Sequence, residues 1–302
     1  MALAVPATAS AVDTPQPSVE AAPDTAPNDG TRILVIGDSI TGNPGCWRAY
    51  MWRDLTDAGY EINMVGTRHD DECGGLTNAA GAAWDPDNTG ISGITTSGMS
   101  VRVGRDGLLQ RTTPEAVVMM LGTNDLMSGD DAERIMGQYE FMVDVIRRDM
   151  PEGPIVIAAP PPIAEDRCPG CQAIVDELEA GLGAWAEAKS TPDSPVFAVV
   201  HSEAFSAGTD MHDGIHPTDS GEVLIAAAIT PVVMEALDYE YIPKVTPSPT
   251  TEPEPDPDFS LWRLGGALGI GLLAVVALVA FTIAWLMWRH RRGQRAHTIA
   301  QD

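Results

Sequence analysis

Basic residues are scarce in this 302-residue chain: 18 Lys and Arg stand against 43 Asp and Glu, a formal net charge of −25. A nucleic-acid binder needs clustered Lys and Arg to displace phosphate counterions, so that class is excluded. Repeats of fixed period are missing too, which excludes repeat architectures. Charge of either sign is absent over the 25 residues from Leu264 to Trp288, and Arg289, Arg291, Arg292 and Arg295 follow at once. What is present is a 44% hydrophobic fraction, too high for a wholly disordered chain despite 24 prolines and 29 glycines. The shortage of base is uneven. Residues 261–302 hold five of the arginines and one aspartate; the remainder carries 13 basic against 42 acidic residues, a net charge of −29.

The uncharged run can cross a bilayer core of ~30 Å at ~1.5 Å per helical residue. Trp262, Trp285 and Trp288 lie near its ends, where amphipathic rings favour the interface. A buried core helix is the weaker reading, because soluble helices rarely run this long without a polar face. We therefore expect one C-terminal transmembrane helix at 261–288 and a basic cytoplasmic tail at 289–302. By the positive-inside rule, everything before residue 261 is then extracellular. Export requires a signal, and residues 1–11 end in Ala9-Ser10-Ala11, a pattern of signal cleavage. A basic region and most of an apolar core are missing ahead of it. Residues 1–30 thus read as the remnant of an export signal with a flexible lead-in, the rival being a disordered leader. Residues 241–260, with six prolines between Pro243 and Pro257, read as an extended stalk.

Residues 31–240 remain as one folded domain. Short apolar runs at Ile33–Ile36, Ile62–Val65, Ala116–Leu121, Ile155–Ala159 and Val196–Val200 alternate with helical stretches. Ile135, Tyr139, Met142, Ile146 and Met150 recur at steps of three or four, as do Ile174, Leu178, Leu182 and Trp185; Val223 to Leu237 is a third case. Apolar strands alternating with helices make βαβ units, a parallel sheet and helices on both faces. The exception is a glycine-rich stretch at 67–98 without clear periodicity, and loops of that length are usually functional or disordered.

In open α/β sheets, ligands bind beyond the carboxyl ends of the strands. The first apolar run is followed by Gly37-Asp38-Ser39-Ile40 and the third by Gly122-Thr123-Asn124-Asp125. Past a short loop, the fifth leads to Asp213-Gly214-Ile215-His216-Pro217, and the long loop contains Gly90-Ile91-Ser92-Gly93. A serine hydroxyl becomes a nucleophile when a base takes its proton, and the usual base is a His held by a carboxylate. Ser39 fits the nucleophile, His216 the base and Asp213 its orienter. The oxyanion of a tetrahedral intermediate needs preorganised donors, for which the Asn124 amide and the N–H groups of Gly93 and Ser39 are candidates. Taken singly, each has a plainer reading: a turn at Ser39, a cap at Asn124 or His216. Their common order behind successive strands argues for chemistry.

These four blocks resemble those of the SGNH (GDSL-type) hydrolases. The resemblance covers essentially all of 31–240 and implies a flavodoxin-like three-layer α/β/α fold with a five-stranded parallel sheet. It also implies Ser39 as nucleophile and oxyanion donor, Gly93 and Asn124 as further donors, His216 as base and Asp213 as its partner. The segments from Tyr50 to Leu55, Ala58 to Tyr60 and Met64 to Thr67, with Asp85 to Asn88 leading to Gly90, resemble the carbohydrate-esterase branch near acetyl xylan esterases.

Four cysteines in an exported domain should pair. Of three connectivities we favour Cys46–Cys73 with Cys168–Cys171, the first bracing the loop after Ser39. His212, adjacent to Asp213, is expected to point away from the site. His69, Asp70, Asp71 and Glu72 read as a solvated acidic loop, so no metal is expected, and no cofactor is required. Asp38 and Asp125 are expected to hydrogen-bond loop backbone, and Trp47 and Trp84 to pack in the core rather than stack on a sugar. The reading that follows is a membrane-anchored extracellular serine esterase acting on an O-acyl, foremost O-acetyl, carbohydrate or another small ester. The alternatives are a lipase or thioesterase, an acyltransferase, and a non-catalytic binding module.

Overall fold

Ile33, Leu34, Val35 and Ile36 expose no surface. Four consecutive buried side chains on a strand must be covered on both faces, and the fold supplies that cover. The computed structural model describes residues 30–42 and 44–239. The expected signal remnant, stalk, transmembrane helix and basic tail lie outside the described residues. The chain runs β1 (Thr31–Gly37), α1 (Ser39–Gly42), α2 (Trp47–Asp57), β2 (Ile62–Val65), β3 (Arg68–His69), β4 (Asp87–Gly90), α3 (Thr96–Arg105) and α4 (Leu108–Thr112). It continues with β5 (Ala116–Met120), α5 (Thr123–Met127), α6 (Ala132–Asp149), β6 (Ile155–Ala158), α7 (Cys171–Lys189), β7 (Val196–Val199), α8 (Ala207–Asp210) and α9 (Asp219–Leu237).

Successive strand residues point to opposite faces, so each strand feeds two cores. Leu34, Ile36, Val117, Met119 and Ile157 pack with Met99 of α3, Ile135 and Met142 of α6, and Leu178 and Leu182 of α7. Ile33, Val35, Val118, Met120 and Val156 pack with Met51 and Leu55 of α2 and Ile225 and Ile229 of α9. The result is three layers, helix on sheet on helix. Helix ends are closed by side chains. Asp131 accepts from Arg134 N–H at the start of α6, and Thr218 from Gly221 N–H at the start of α9. Caps of this kind contribute about 1 kcal/mol each. By length and composition alone α9 could cross a membrane. Yet Ile225, Ala226, Ile229 and Val233 bury one of its faces in the second core, so it is a core helix.

Five strands run parallel in the order β2-β1-β5-β6-β7. The sheet among the described residues has seven strands rather than the expected five. β2 pairs only with Thr31 to Leu34, leaving the far end of β1 open on that side. There β4 adds in parallel, with Ile36 opposite Thr89 and Gly37 opposite Gly90, and β3 adds to β4 antiparallel. The extra strands come from the aperiodic 67–98 stretch. At two and four residues they are too short to show a period, and Asp-Asn-Thr-Gly has little strand propensity of its own. Close backbone approach holds β4 in place. A Cβ on Gly42 would meet the Gly90 carbonyl at 2.6 Å, and one on Gly90 would meet Gly42 Cα at 2.5 Å. Both disulfides, Cys46–Cys73 and Cys168–Cys171, have the favoured pairing.

Candidate active site

Because β2 and β4 lie on one side of β1 and β5 on the other, the winding reverses at the carboxyl ends of β1 and β5, where an open α/β sheet leaves a crevice. Ser39 opens α1 directly after β1, and Asn124 lies in α5 directly after β5. The loop between α8 and α9 brings His216 to the same place. Ser39 Oγ lies 2.9 Å from His216 Nε2, and His216 Nδ1 lies 2.8 Å from Asp213 Oδ2. A hydroxyl, an imidazole and a carboxylate in this series is an arrangement that activates a serine.

Asp213 is held by its own loop. Its Oδ1 accepts the N–H groups of Ile215 at 3.0 Å and His216 at 2.8 Å. Partial desolvation pushes its carboxyl upward, but these bonds and the one to the His216 ring outweigh it and hold the group well below the usual carboxylate range. Asp213 is therefore ionised at neutral pH. It favours the tautomer with the proton on Nδ1, leaving the Nε2 lone pair toward Ser39.

The strand-end side is built differently. Asp38 is buried, accepting from Ile40 N–H at 2.9 Å through Oδ1 and from Asn124 Nδ2 at 3.2 Å through Oδ2. Burial pushes its carboxyl up to about 6, against the pull of the Ile40 bond and nearby His216. Asn124 Nδ2 also donates to Ile94 O at 3.0 Å. The neighbouring buried Asp125 accepts from Thr96 N–H at 2.9 Å and from the Thr96 hydroxyl at 3.2 Å, and burial raises its carboxyl too. Asn124 and Asp125 thus pin both ends of the short Ile94–Thr96 turn. Just before it stands Gly93, exposed and at φ +78°, a conformation that favours glycine. No atom lies within 4 Å of where its Cβ would be, so the space before this residue is open.

Asp38 and Asp125 bond loop backbone, and Trp47 and Trp84 are buried, as the sequence suggests. One expectation needs correction. His212 does not point away: its ring stacks against that of His216, with centroids 5.9 Å apart and planes 19° apart. Met211 and Pro217 bridge and His212 N–H donates to His216 O, so the loop folds back and sets residues 212 and 216 side by side. The acidic loop is solvated as expected, with His69 exposed and Asp70 half-buried, though both are hydrogen-bonded. His69 Nδ1 lies 2.7 Å from Asp87 Oδ1, and Asp70 accepts from Arg68 and Asn88. Asp71 and Glu72 are exposed.

Sequence reasoning missed two supporting residues. Arg48 is wholly buried, donating to the carbonyls of Thr41, Pro86 and Pro44 at 2.7, 3.0 and 3.0 Å while lying over Trp84. It joins α1, which carries Ser39, to the long loop, alongside the Cys46–Cys73 bridge. The sequence signal was faint: a lone cation between Arg32 and Arg53 in an acidic domain. Glu222, buried on α9, accepts from Trp47 N–H at 2.7 Å and so caps α2 from another helix. Burial raises its carboxyl to about 7. Its signal was clearer, since Glu222 shares a helical face with Ile225, Ala226 and Ile229.

This geometry agrees with comparisons to known proteins. The platelet-activating factor acetylhydrolase IB subunits alpha2 of Bos taurus and Homo sapiens are each 29% identical over 154 residues, 50% of this chain. The chain spans 65% of the length of these relatives. Among solved structures, an acetyl esterase mutant with bound acetate ion is similar at TM-score 0.58 and 27% identity, covering 68% of this chain and 97% of that one. A carbohydrate esterase of family 3 from Talaromyces cellulolyticus matches at 0.58 and 28%, with the same coverage. The profile of the GDSL-like lipase/acylhydrolase family matches residues 35–224, more than half of the chain. With Ser39 and His216 both inside that match, the chain belongs to the GDSL-like lipase/acylhydrolase family.

Proposed function

We propose that the protein is a membrane-anchored extracellular serine esterase that removes O-acetyl groups from carbohydrate, with Ser39, His216 and Asp213 as its catalytic residues. The observation that carries the mechanism is the unbroken series from Ser39 Oγ through His216 to Asp213 at 2.9 and 2.8 Å. Ser39 Oγ attacks the ester carbonyl carbon as its proton passes to His216 Nε2. The tetrahedral oxyanion is met by the N–H groups of Ser39 and Gly93 and by Asn124 Nδ2. Of the two bonds that Asn124 Nδ2 donates, the longer one, to Asp38 at 3.2 Å, is the one the oxyanion replaces. As the tetrahedral intermediate collapses and the acyl C–O bond breaks, His216 gives its proton to the departing sugar oxygen, which leaves as a hydroxyl. Water attacks the acyl-enzyme, giving its proton to His216, and acetic acid leaves as Ser39 recovers its hydrogen.

An acetyl group is the acyl part named in both kinds of relative, the acetyl esterase and the platelet-activating factor acetylhydrolases. Carbohydrate as the other part rests on the family 3 esterase and on the branch-like segments around Tyr50 to Thr67. The acetylhydrolases favour a second reading, a phospholipid-type acetyl ester. Anchoring rests on the uncharged run 264–288 and the arginines after it.

Turnover of p-nitrophenyl acetate by the wild type and by Ser39→Ala tests the nucleophile; equal rates refute it. A series from acetate to palmitate, followed by a panel of acetylated glycans and acetylated phospholipids, tests the substrate. Preference for long chains, or for the phospholipid, overturns the carbohydrate assignment. Protease added to intact cells should release the enzyme at the stalk, whereas full protection reverses the topology.

A further inference from the structure

We propose that His212, Asp213 and His216 bind one divalent cation of the Zn2+ or Cu2+ type, and that this binding switches the esterase off. The inhibitory part rests on the catalytic reading of His216 and Asp213 given above; the binding part does not.

One ligand atom from each of the three residues lies within 4.8 Å of the other two. The fold supplies this convergence, because the Met211–Pro217 bridge sets His212 and His216 side by side. Two imidazoles and one carboxylate suit Zn2+ or Cu2+, whereas Mg2+ and Ca2+ prefer all-oxygen sites. Three protein ligands with an open position for water form a common zinc set. At a metal–nitrogen distance of about 2.0–2.1 Å, the donors around a tetrahedral ion lie about 3.3 Å apart. His216 Nδ1 and Asp213 Oδ2, 2.8 Å apart, already stand near that spacing. His212 is exposed, so its ring can rotate to close the third side.

Both ring nitrogens of His216 are engaged, Nδ1 with Asp213 and Nε2 with Ser39. An ion between His216 and Asp213 takes the Nδ1 lone pair, which exists in the neutral tautomer whose proton sits on Nε2. A nitrogen–metal bond forms, the Asp213 hydrogen bond breaks, and no proton is gained or lost. Ser39 Oγ then faces an N–H donor instead of a lone pair, and the nucleophile has no base. His212 acts only as a ligand in this scheme and has no part in the metal-free reaction.

The test titrates Zn2+ calorimetrically into purified full-length Ser39→Ala and into Ser39→Ala/His212→Phe, in a non-chelating buffer. Phenylalanine keeps a flat ring against His216 but removes both nitrogens, and a thermal melt checks that the variant folds. The expected result is one ion per chain in Ser39→Ala, with affinity weakened about tenfold or more by loss of the His212 ligand. On the otherwise wild-type chain, Zn2+ should suppress ester turnover, EDTA should restore it, and His212→Phe should raise the inhibiting concentration by the same factor. Equal Zn2+ affinity with and without His212 overturns the site and places the ion elsewhere. Full turnover at saturating Zn2+ overturns the switch. If the metal-free enzyme hydrolyses no ester, the esterase reading fails, while the calorimetry still decides the site.

Discussion

Asp38 precedes the Ser39 turn, Asp213 precedes the His216 turn, and their surroundings drive the two carboxyls in opposite directions. Asp38 sits in a dry strand-end network with Thr123, Asn124 and the Ile40 N–H, and desolvation raises it to about 6. Asp213 lies on a surface loop with its side chain 35% exposed, and local hydrogen bonds keep it ionised. One half of the site is therefore held by the core: sheet ends, buried polar groups, and Arg48 on three carbonyls. The other half is held mainly by its own loop, through bonds that span a few residues, with one longer tie from Ala164 N–H to Gly214 O. A rigid half suits the nucleophile and the oxyanion donors, whose positions must match a transition state closely. A locally built half suits the base, which needs one orientation and access to water for the second step.

The contrast can be broken most sharply at Asp213. Asp213→Asn should lower kcat by about 10⁴-fold, the order seen when a triad aspartate is replaced elsewhere. Stability should fall only modestly, because the asparagine oxygen can still accept the Ile215 and His216 N–H groups while only the charge-dependent part is lost. A tenfold loss or less, with a large drop in melting temperature, would make the loop structural and erase the distinction. On the core side, Asn124→Ala should lower kcat by about 10²–10³-fold, the usual effect of removing one oxyanion donor. Parallel melts separate that loss from release of the Ile94–Thr96 turn.

Arg48→Ala should cost about 3 kcal/mol in denaturant titration, since buried carbonyls left without a donor cost about 1–3 kcal/mol each. A change below 1 kcal/mol would show that the Cys46–Cys73 bridge alone holds this region. The pH dependence comes last. Folded Asp38 and Glu222 keep their protons to about 6 and about 7, above the ordinary 3.8 and 4.5. Over that interval the native state binds more protons than the unfolded chain, so stability falls as pH rises, by at most about 3 kcal/mol per group. Asp213 has the reverse sign. Its contribution is present at neutral pH and fades as pH drops through and below the usual carboxylate range. Chemical denaturation between pH 4.5 and 7.5 should show the fall, and Glu222→Gln should flatten its upper part.

Much of this was legible beforehand, for identifiable reasons. The five apolar runs coincide with β1, β2, β5, β6 and β7, because strands buried on both faces are near-continuous in Val, Ile, Met and Leu. The helices α6, α7 and α9 showed through their apolar stripes. β3 and β4 did not, since Arg68-His69 and Asp87-Asn88-Thr89-Gly90 owe their strand geometry to the free end of β1. Arg48 and Glu222 stayed hidden or half hidden because their partners are backbone groups, which carry no side-chain signature in the sequence. His212 was misread because adjacency along a chain was taken to mean divergence in space, which a folded-back loop reverses.

The sequence by itself determined the layered α/β frame, the places of its principal strands along the chain and the segments that carry Ser39, Gly93, Asn124, Asp213 and His216. Hydrophobic period and short motifs are local properties, and local properties can be read along a chain. Only the tertiary structure decided that Ser39 Oγ meets His216 Nε2 at 2.9 Å across 177 residues. It alone set the Asn124 amide between Asp38 and Ile94 and laid the His212 ring on His216. Those relations depend on how strand ends, buried charges and returning loops pack together, and no stretch of residues carries that information alone.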